Sequence, residues 1–189
     1  MSVSGEIIRA YRGFKPSMQR QIDAAPGEER LLIYLMLAIF LFFIARTPDL
    51  LAMSAAQASA EVSSLAFFTA NLVAWFFFAP IMFYLLAGIS RLVARMFGGK
   101  GNGRHARLAL FWAQLVIAPL ALVSAIVQMA VPVDWLSLAL PIALGLFFAY
   151  VWGSFLSVAE GFKAPYFTIA AIILTPFTLI VMIRLLTMN

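Results

Sequence analysis

Long stretches without a charged side chain constrain this sequence more than any other feature. Five stretches qualify: residues 31–45, 62–90, 108–131, 135–159 and 166–183. About 20 apolar helical residues cross the roughly 30 Å hydrocarbon core of a bilayer. The first stretch is short, but Arg30 and Arg46 bracket it and can extend their side chains toward the two headgroup layers. The sequence therefore predicts an all-α fold, a polytopic membrane protein with a bundle of five transmembrane helices.

Composition excludes most soluble and redox-active classes. The chain is 64% hydrophobic and 11% charged, whereas a soluble domain is about 45 to 50% apolar and about 25% charged. A disordered chain and a basic nucleic-acid-binding domain are therefore not expected. There is no Cys and one His, so disulfides, thiolate chemistry, iron–sulfur clusters and paired histidine ligands are also not expected. We predict no cofactor, no metal and no nucleic-acid partner.

The first apolar stretch has one alternative interpretation, a cleaved signal peptide. The small residues Ala56-Gln57-Ala58 follow it and are typical of a cleavage site. However, Arg46 and Asp49 lie between the apolar stretch and that site, and a long segment with four acids precedes it. Retention as a membrane span fits these charges better.

The distribution of basic residues predicts the orientation. With five spans and the N-terminus inside, eleven of the 13 Lys and Arg residues lie on the cytoplasmic side, and only Arg46 and Arg184 lie outside. Basic loops resist translocation across the membrane. We therefore predict a multi-pass membrane protein with its N-terminus on the cytoplasmic side and its C-terminus on the opposite side.

The spans offer little that could carry catalysis or proton transfer. They hold no ionisable side chain, and Asn71, Gln114 and Gln128 are best interpreted as interhelical hydrogen-bonding groups. His105, the one imidazole, lies among arginines in a connecting segment, and no acidic pair shares a plausible depth. The sequence predicts a protein that is not an enzyme.

The segment between the second and third stretches is rich in glycine and strongly basic. Gly101 stands where a Walker loop needs Ser or Thr after its Gly-Lys, and a span rather than a strand precedes the glycines. A flexible, solvated turn is one interpretation. The other is contact with anionic lipid headgroups, to which each cation contributes about 1 kcal/mol of attraction. The predicted headgroup contacts are Arg91, Arg95, Lys100, Arg104 and Arg107.

Residues 1–30 form a second region, distinct from the transmembrane domain of residues 31–189. Apolar residues recur at helical spacing from Ile7 to Ile22 with basic residues between them. Ser4 can cap a helix and Pro16 can interrupt it. This pattern predicts one or two amphipathic helices at the cytoplasmic interface, either as an anchor or as a docking surface.

Small residues and prolines shape the later spans. Gly145, Ala149, Gly153 and Ser157 recur every fourth residue, which predicts a face for close helix packing within the chain or in a dimer. Prolines at 80, 119, 141 and 176 fall inside four of the five stretches and predict kinks.

Residues 85–125 resemble a known family. The closest stretch is Leu-Val-Ala-Arg-Met-Phe-Gly-Gly-Lys-Gly at 92–101, followed by Ala-Arg-Leu-Ala-Leu-Phe-Trp-Ala at 106–113 and Ile-Ala-Pro-Leu at 117–120. This order is similar to the shorter, bacterial branch of the Yip family of membrane proteins. The resemblance implies a multi-pass protein of the bacterial cytoplasmic (inner) membrane, with a cytoplasmic N-terminal segment, five spans and a periplasmic C-terminus. The Asp-Leu-Tyr-Gly-Pro signature of eukaryotic members is absent, so neither GTPase binding nor vesicle trafficking is inferred.

Three functions follow from these observations. The first is a non-enzymatic Yip-type protein that organises membrane lipids, anionic ones included, or a membrane-protein partner. The second is a small accessory subunit of a larger membrane complex. The third is a carrier or channel for a neutral or amphipathic solute, with proline-broken helices as gates.

Overall fold

The computed structural model describes residues 2–57, 63–131 and 133–163, and the regular elements within these ranges are α-helices. They are α1 (Val3–Ala10), α2 (Phe14–Asp23), α3 (Glu28–Gln57), α4 (Ser64–Met96), α5 (Gly103–Ala130) and α6 (Asp134–Glu160). The predicted all-α class is confirmed. Helices α3 to α6 are long and apolar enough to cross a membrane. The predicted fifth span, residues 166–183, lies outside the described residues.

Helix α5 forms the centre of the bundle. It packs against α3, α4 and α6, and every side chain from Leu108 to Ala118 is buried. A helix that is apolar on all sides is stable only when neighbours or lipid surround it. The continuous apolar stretch in α5 is thus explained by protein contacts.

Helix α4 has the opposite environment. It contacts α3 and α5 along one side, while large apolar side chains between Leu65 and Met96 are exposed, among them Phe77 and Phe78. Exposed apolar surface of this extent is unstable in water but is the normal exterior of a membrane-spanning bundle. The aromatic run that begins at Trp75 therefore lies partly on the lipid-facing surface.

Helix α3 extends well beyond residues 31–45, the predicted first span. Helix α3 continues through Arg46, Pro48 and Asp49 to Gln57. The guanidinium of Arg46 lies 5.7 Å from the ring centre of Trp75 on α4, which stabilises the charge against the bundle. Charged residues mark where the apolar stretch ends, but they do not end a helix.

The long basic loop of the sequence prediction is also much shorter. Arg91 and Arg95 lie in α4, while Arg104 and Arg107 lie in α5, so only residues 97–102 connect the two helices. Arginine favours the helical conformation. Helix α5 begins where the Asn102 side chain accepts a hydrogen bond from the His105 amide at 2.8 Å.

Helices α1 and α2 form an N-terminal hairpin. The helical conformation is interrupted at residues 11–13 and not at Pro16. Pro16 lies in the first turn of α2, where the backbone amides have no acceptor within the helix, so proline is tolerated there. Ser2 rather than Ser4 caps α1, because its hydroxyl accepts a hydrogen bond from the Gly5 amide at 3.3 Å. The hairpin packs on α5 and α6, and it buries Ala10, Ser17 and Met18 completely.

Candidate functional site

The end of the bundle where α4 meets α5, here called the loop end, is organised around Glu160. This last residue of α6 has a fully buried side chain. Its Oε2 accepts hydrogen bonds from Nη1 of Arg91 at 2.8 Å and from the Gly101 amide at 3.0 Å. The Lys100 amide donates to the Glu160 carbonyl oxygen at 2.9 Å. The loop of residues 97–102 is thus fastened to the end of α6.

Two glycines make this approach possible. A Cβ atom on Gly99 would lie 2.6 Å from Oε2 of Glu160, and one on Gly101 would lie 2.4 Å from the carbonyl oxygen of Ala159. The amide of Gly99 donates to the Ala94 carbonyl at 2.8 Å. The amides of Gly99, Lys100 and Gly101 donate to acceptors within the protein, so they do not form a site open to a phosphate group. The two glycines allow the loop backbone to pack closely against the end of α6. The loop is thus held by hydrogen bonds and is not the flexible, solvated turn that was one interpretation of the sequence.

Three of the five predicted headgroup cations have partners within the chain. Arg91 pairs with Glu160 and also donates to the Gly99 carbonyl at 3.3 Å. Arg104 donates from Nε to the Pro26 carbonyl at 2.9 Å. Arg107 pairs with Glu28, and its guanidinium lies 6.0 Å from the Tyr84 ring centre. These arginines hold the loop end together.

The other two predicted cations point away from the protein. Arg95 and Lys100 are exposed, and Lys163 is exposed three residues beyond Glu160. Their neighbours Met96 and Phe97 are 83% and 63% exposed, although both are apolar. An exposed apolar edge flanked by cations matches the boundary between hydrocarbon and headgroups.

The N-terminal hairpin is joined to the bundle by polar as well as apolar contacts. Trp112 of α5 donates from Nε1 to the Ser17 hydroxyl at 3.1 Å, and Tyr34 of α3 donates to the Gln21 side chain at 3.2 Å. The Tyr11 hydroxyl donates to the Val116 carbonyl. Burial raises the pKa of the Tyr11 hydroxyl above its ordinary value.

An acidic residue of α1 holds the two helices of the hairpin together. The Glu6 carboxylate accepts from Arg9 of its own helix at 3.0 Å and from Arg20 of α2 at 3.2 Å, so one ion pair links α1 to α2. The sequence pattern predicted the helices but not this internal pairing, which leaves the apolar side of the hairpin against the bundle.

The predicted small-residue face of α6 lies partly inside the bundle. Ala149, Gly153 and Ser157 are buried, whereas Gly145 is exposed and has open space where a Cβ atom would be. The Ser157 hydroxyl donates to the Ser154 carbonyl at 2.8 Å, so its hydrogen bond lies within α6 and does not join α6 to another helix. Close packing is therefore placed at the loop-end half of α6.

The opposite end of the bundle carries a cavity of about 320 Å³ between α3, α5 and α6. Asp49, Gln128, Asp134 and Ser137 supply its polar lining. It lies at the far end of these helices, away from the buried middle of α5. Within the described ranges, no group of three His, Asp or Glu side chains could hold a metal ion.

Sequence reasoning missed Glu160 as the organising residue of the loop end. Two signals pointed to it. It is the one acid between Asp134 and the end of the chain, and glycine recurs in the segment 91–107, which holds five cations and no acid. A lone acid opposite such a segment indicates an ion pair and a close backbone approach.

Comparison with known proteins identifies the family. Residues 15–188 match the Yip1 domain. The chain belongs to the Yip1 domain family. The Yip1 domain match covers α2 through α6, and it includes the fastened loop and Glu160. No curated protein and no solved structure matches the chain.

Proposed function

We propose that this Yip1-family membrane protein is non-enzymatic and organises anionic lipids around its loop end, which faces the cytoplasm of a bacterial cell. The single observation that carries this proposal is the exposure of Arg95 and Lys100 on a segment fixed by Glu160. Because Lys100 is held by its backbone, its charge stays near the membrane boundary without an additional ordering cost.

Electrostatics favours lipid over other anionic ligands at this position. Each cation close to an acidic surface contributes about 1 kcal/mol, and the attraction decays within a Debye length of about 8 to 10 Å. Arg95 and Lys100 flank Met96 and Phe97, whose exposed apolar side chains need hydrocarbon around them. A soluble anion would leave this apolar edge in water.

The orientation rests on the same charges. Eleven of the 13 Lys and Arg residues fall on the loop-end side if the chain crosses the membrane five times. Cytoplasmic segments of membrane proteins carry such an excess of basic residues. This distribution supports a cytoplasmic loop end and a periplasmic C-terminus.

The double variant Arg95→Gln/Lys100→Gln tests the proposal. We expect it to lose about 2 kcal/mol of binding, or roughly 30-fold in affinity for phosphatidylglycerol, because two of the cations near the surface are removed. Native mass spectrometry after purification in a mild detergent would count the retained anionic lipids. The Arg46→Gln variant is the control, because Arg46 faces Trp75 far from the loop end. Equal phosphatidylglycerol retention by the double variant and the wild type would contradict the proposal.

A further inference from the structure

Gln114 is a buried polar residue in the middle of the central helix. It lies 11 residues after Gly103, where α5 begins, and it is 2% exposed. Within residues 2–57, 63–131 and 133–163, no group donates to its Oε1 or accepts from its Nε2. A buried carboxamide without hydrogen bonds costs free energy, and a bundle surrounded by hydrocarbon offers it no solvent instead. The interhelical hydrogen bond predicted for Gln114 thus has no counterpart among these residues.

The other two amide side chains predicted to join helices are satisfied within their own helices. Nδ2 of Asn71 donates to the Phe67 carbonyl at 2.9 Å, and Nε2 of Gln128 donates to the Ser124 carbonyl at 3.2 Å. Each acceptor lies in the preceding turn of the same helix. Gln114 does not make this bond, so both of its polar atoms remain available to a ligand inside the bundle.

A second unpaired donor lies in the neighbouring helix. Trp152 of α6 is 7% exposed, and its buried Nε1 donates to no group in the described part of the chain. The indole of Trp112, by contrast, donates to the Ser17 hydroxyl. A buried indole N–H usually has an acceptor. Because α5 and α6 pack against each other, the interior of the bundle holds an unpaired carboxamide and an unpaired indole on adjacent helices.

The two unpaired groups lean toward a common depth. The Gly101 amide meets Glu160 at 3.0 Å, which sets the start of α5 level with the end of α6. Gln114 lies 13 residues from Gly101, about 20 Å, and Trp152 lies eight residues from Glu160, about 12 Å. Side chains lean toward the N-terminus of their own helix, so in this antiparallel pair the carboxamide and the indole lean toward each other. Trp152 also stacks on Phe148, which is about 18 Å from the end of α6 and therefore near the level of Gln114.

We propose that Gln114 and Trp152 bind one or two water molecules enclosed between α5 and α6. Their backbone levels differ by about 8 Å, and hydrogen bonds of about 2.8 Å through one or two waters bridge the distance left after the side chains lean together. Water both donates and accepts, as a carboxamide requires, and enclosed waters typically make about three hydrogen bonds to otherwise unpaired groups. Lipid headgroups and a second chain do not reach side chains that are buried within one chain. The site does not involve Arg95 or Lys100, so it stands or falls independently of the proposed function.

NMR detection of water contacts in detergent micelles tests the inference directly. Rotating-frame cross-peaks distinguish a proton that lies beside water from one that exchanges with it. We expect dipolar cross-peaks at the water frequency for the Nε2 protons of Gln114 and for the indole proton of Trp152, which is assigned by its loss in Trp152→Phe. The buried backbone amide of Ala109, hydrogen-bonded within α5, is the control and should show none. Cross-peaks from the Gln114 amide to protein side chains, residues 164–189 included, with none to water, would overturn the inference.

A double-mutant cycle tests whether the two residues share the water. By denaturant unfolding, we expect Gln114→Leu and Trp152→Phe each to lower the folding equilibrium constant roughly tenfold, because each removes a hydrogen bond to water. Together they should lower it by less than roughly thirtyfold instead of a hundredfold, because the first change already disrupts the shared site.

Gln128→Leu is the matched control for this cycle. Gln128 bonds within its own helix about 21 Å further along α5, so its effect should multiply with that of Trp152→Phe. A higher folding equilibrium constant for Gln114→Leu than for the wild type would show a dry, unpaired carboxamide. Fully independent effects of Gln114→Leu and Trp152→Phe would show that the two residues share no water. Either result would overturn the inference.

Discussion

Replacing Glu160 with alanine should lower the free energy of unfolding by about 3 kcal/mol, the lower part of the range for removing one partner of a buried ion pair. The carboxylate is fully buried, but Arg91 retains 20% exposure and can recover some solvation. The Gly101 amide would lose its acceptor at the same time. Denaturant unfolding in detergent micelles measures this loss.

Two further variants make the result specific to the fastened loop. Glu160→Gln keeps an oxygen that can accept from Gly101, so it should cost less than alanine. Glu28→Ala removes the acid of a more exposed pair with Arg107 and should change stability by about 0 to 1 kcal/mol. Equal losses for Glu160→Ala and Glu28→Ala would contradict the role given to Glu160.

Replacing Trp112 with alanine should cost about 3 to 5 kcal/mol, because a large buried ring leaves a cavity that the bundle cannot fill. The indole lies 5.2 Å from the Tyr34 ring centre and donates to Ser17 of the hairpin. Its removal should therefore also loosen α1 and α2, seen as faster hydrogen exchange over residues 3–23.

Trp135 provides the matched control for this variant. It is 67% exposed at the start of α6, so Trp135→Ala should change the unfolding free energy little and leave exchange in the hairpin unaltered. If the two tryptophan variants had the same effect, the hairpin would not be anchored through Trp112.

The apolar stretches could be identified from sequence, because any helix that crosses a bilayer must be apolar over its length, independently of how the helices pack. The ends of the helices could not be identified in this way, because charged residues such as Arg46 and Arg91 are compatible with a helix that extends past the hydrocarbon. The hairpin illustrates a different limit. Its amphipathic period fits a membrane interface and a protein groove equally well, and only the contacts of Phe14 and Met18 with the bundle decide between them.

The loop end shows why charge counts alone do not define a binding surface. Sequence places five cations between residues 91 and 107. It does not show that Arg104 donates to backbone carbonyls or that Arg91 pairs with an acid 69 residues away. Long-range partners of this kind depend on which helix ends meet, and that depends on the packing of α4 and α6 around α5.

Hydrogen exchange at the amides of Lys100 and Gly101 tests the central claim, that the loop is fixed to α6 and displays its cations from a defined position. Both amides have acceptors on Glu160. We predict that they exchange at least roughly tenfold more slowly in the wild type than in Glu160→Ala. Fast exchange of both amides in the wild type, unchanged in the variant, would contradict the account.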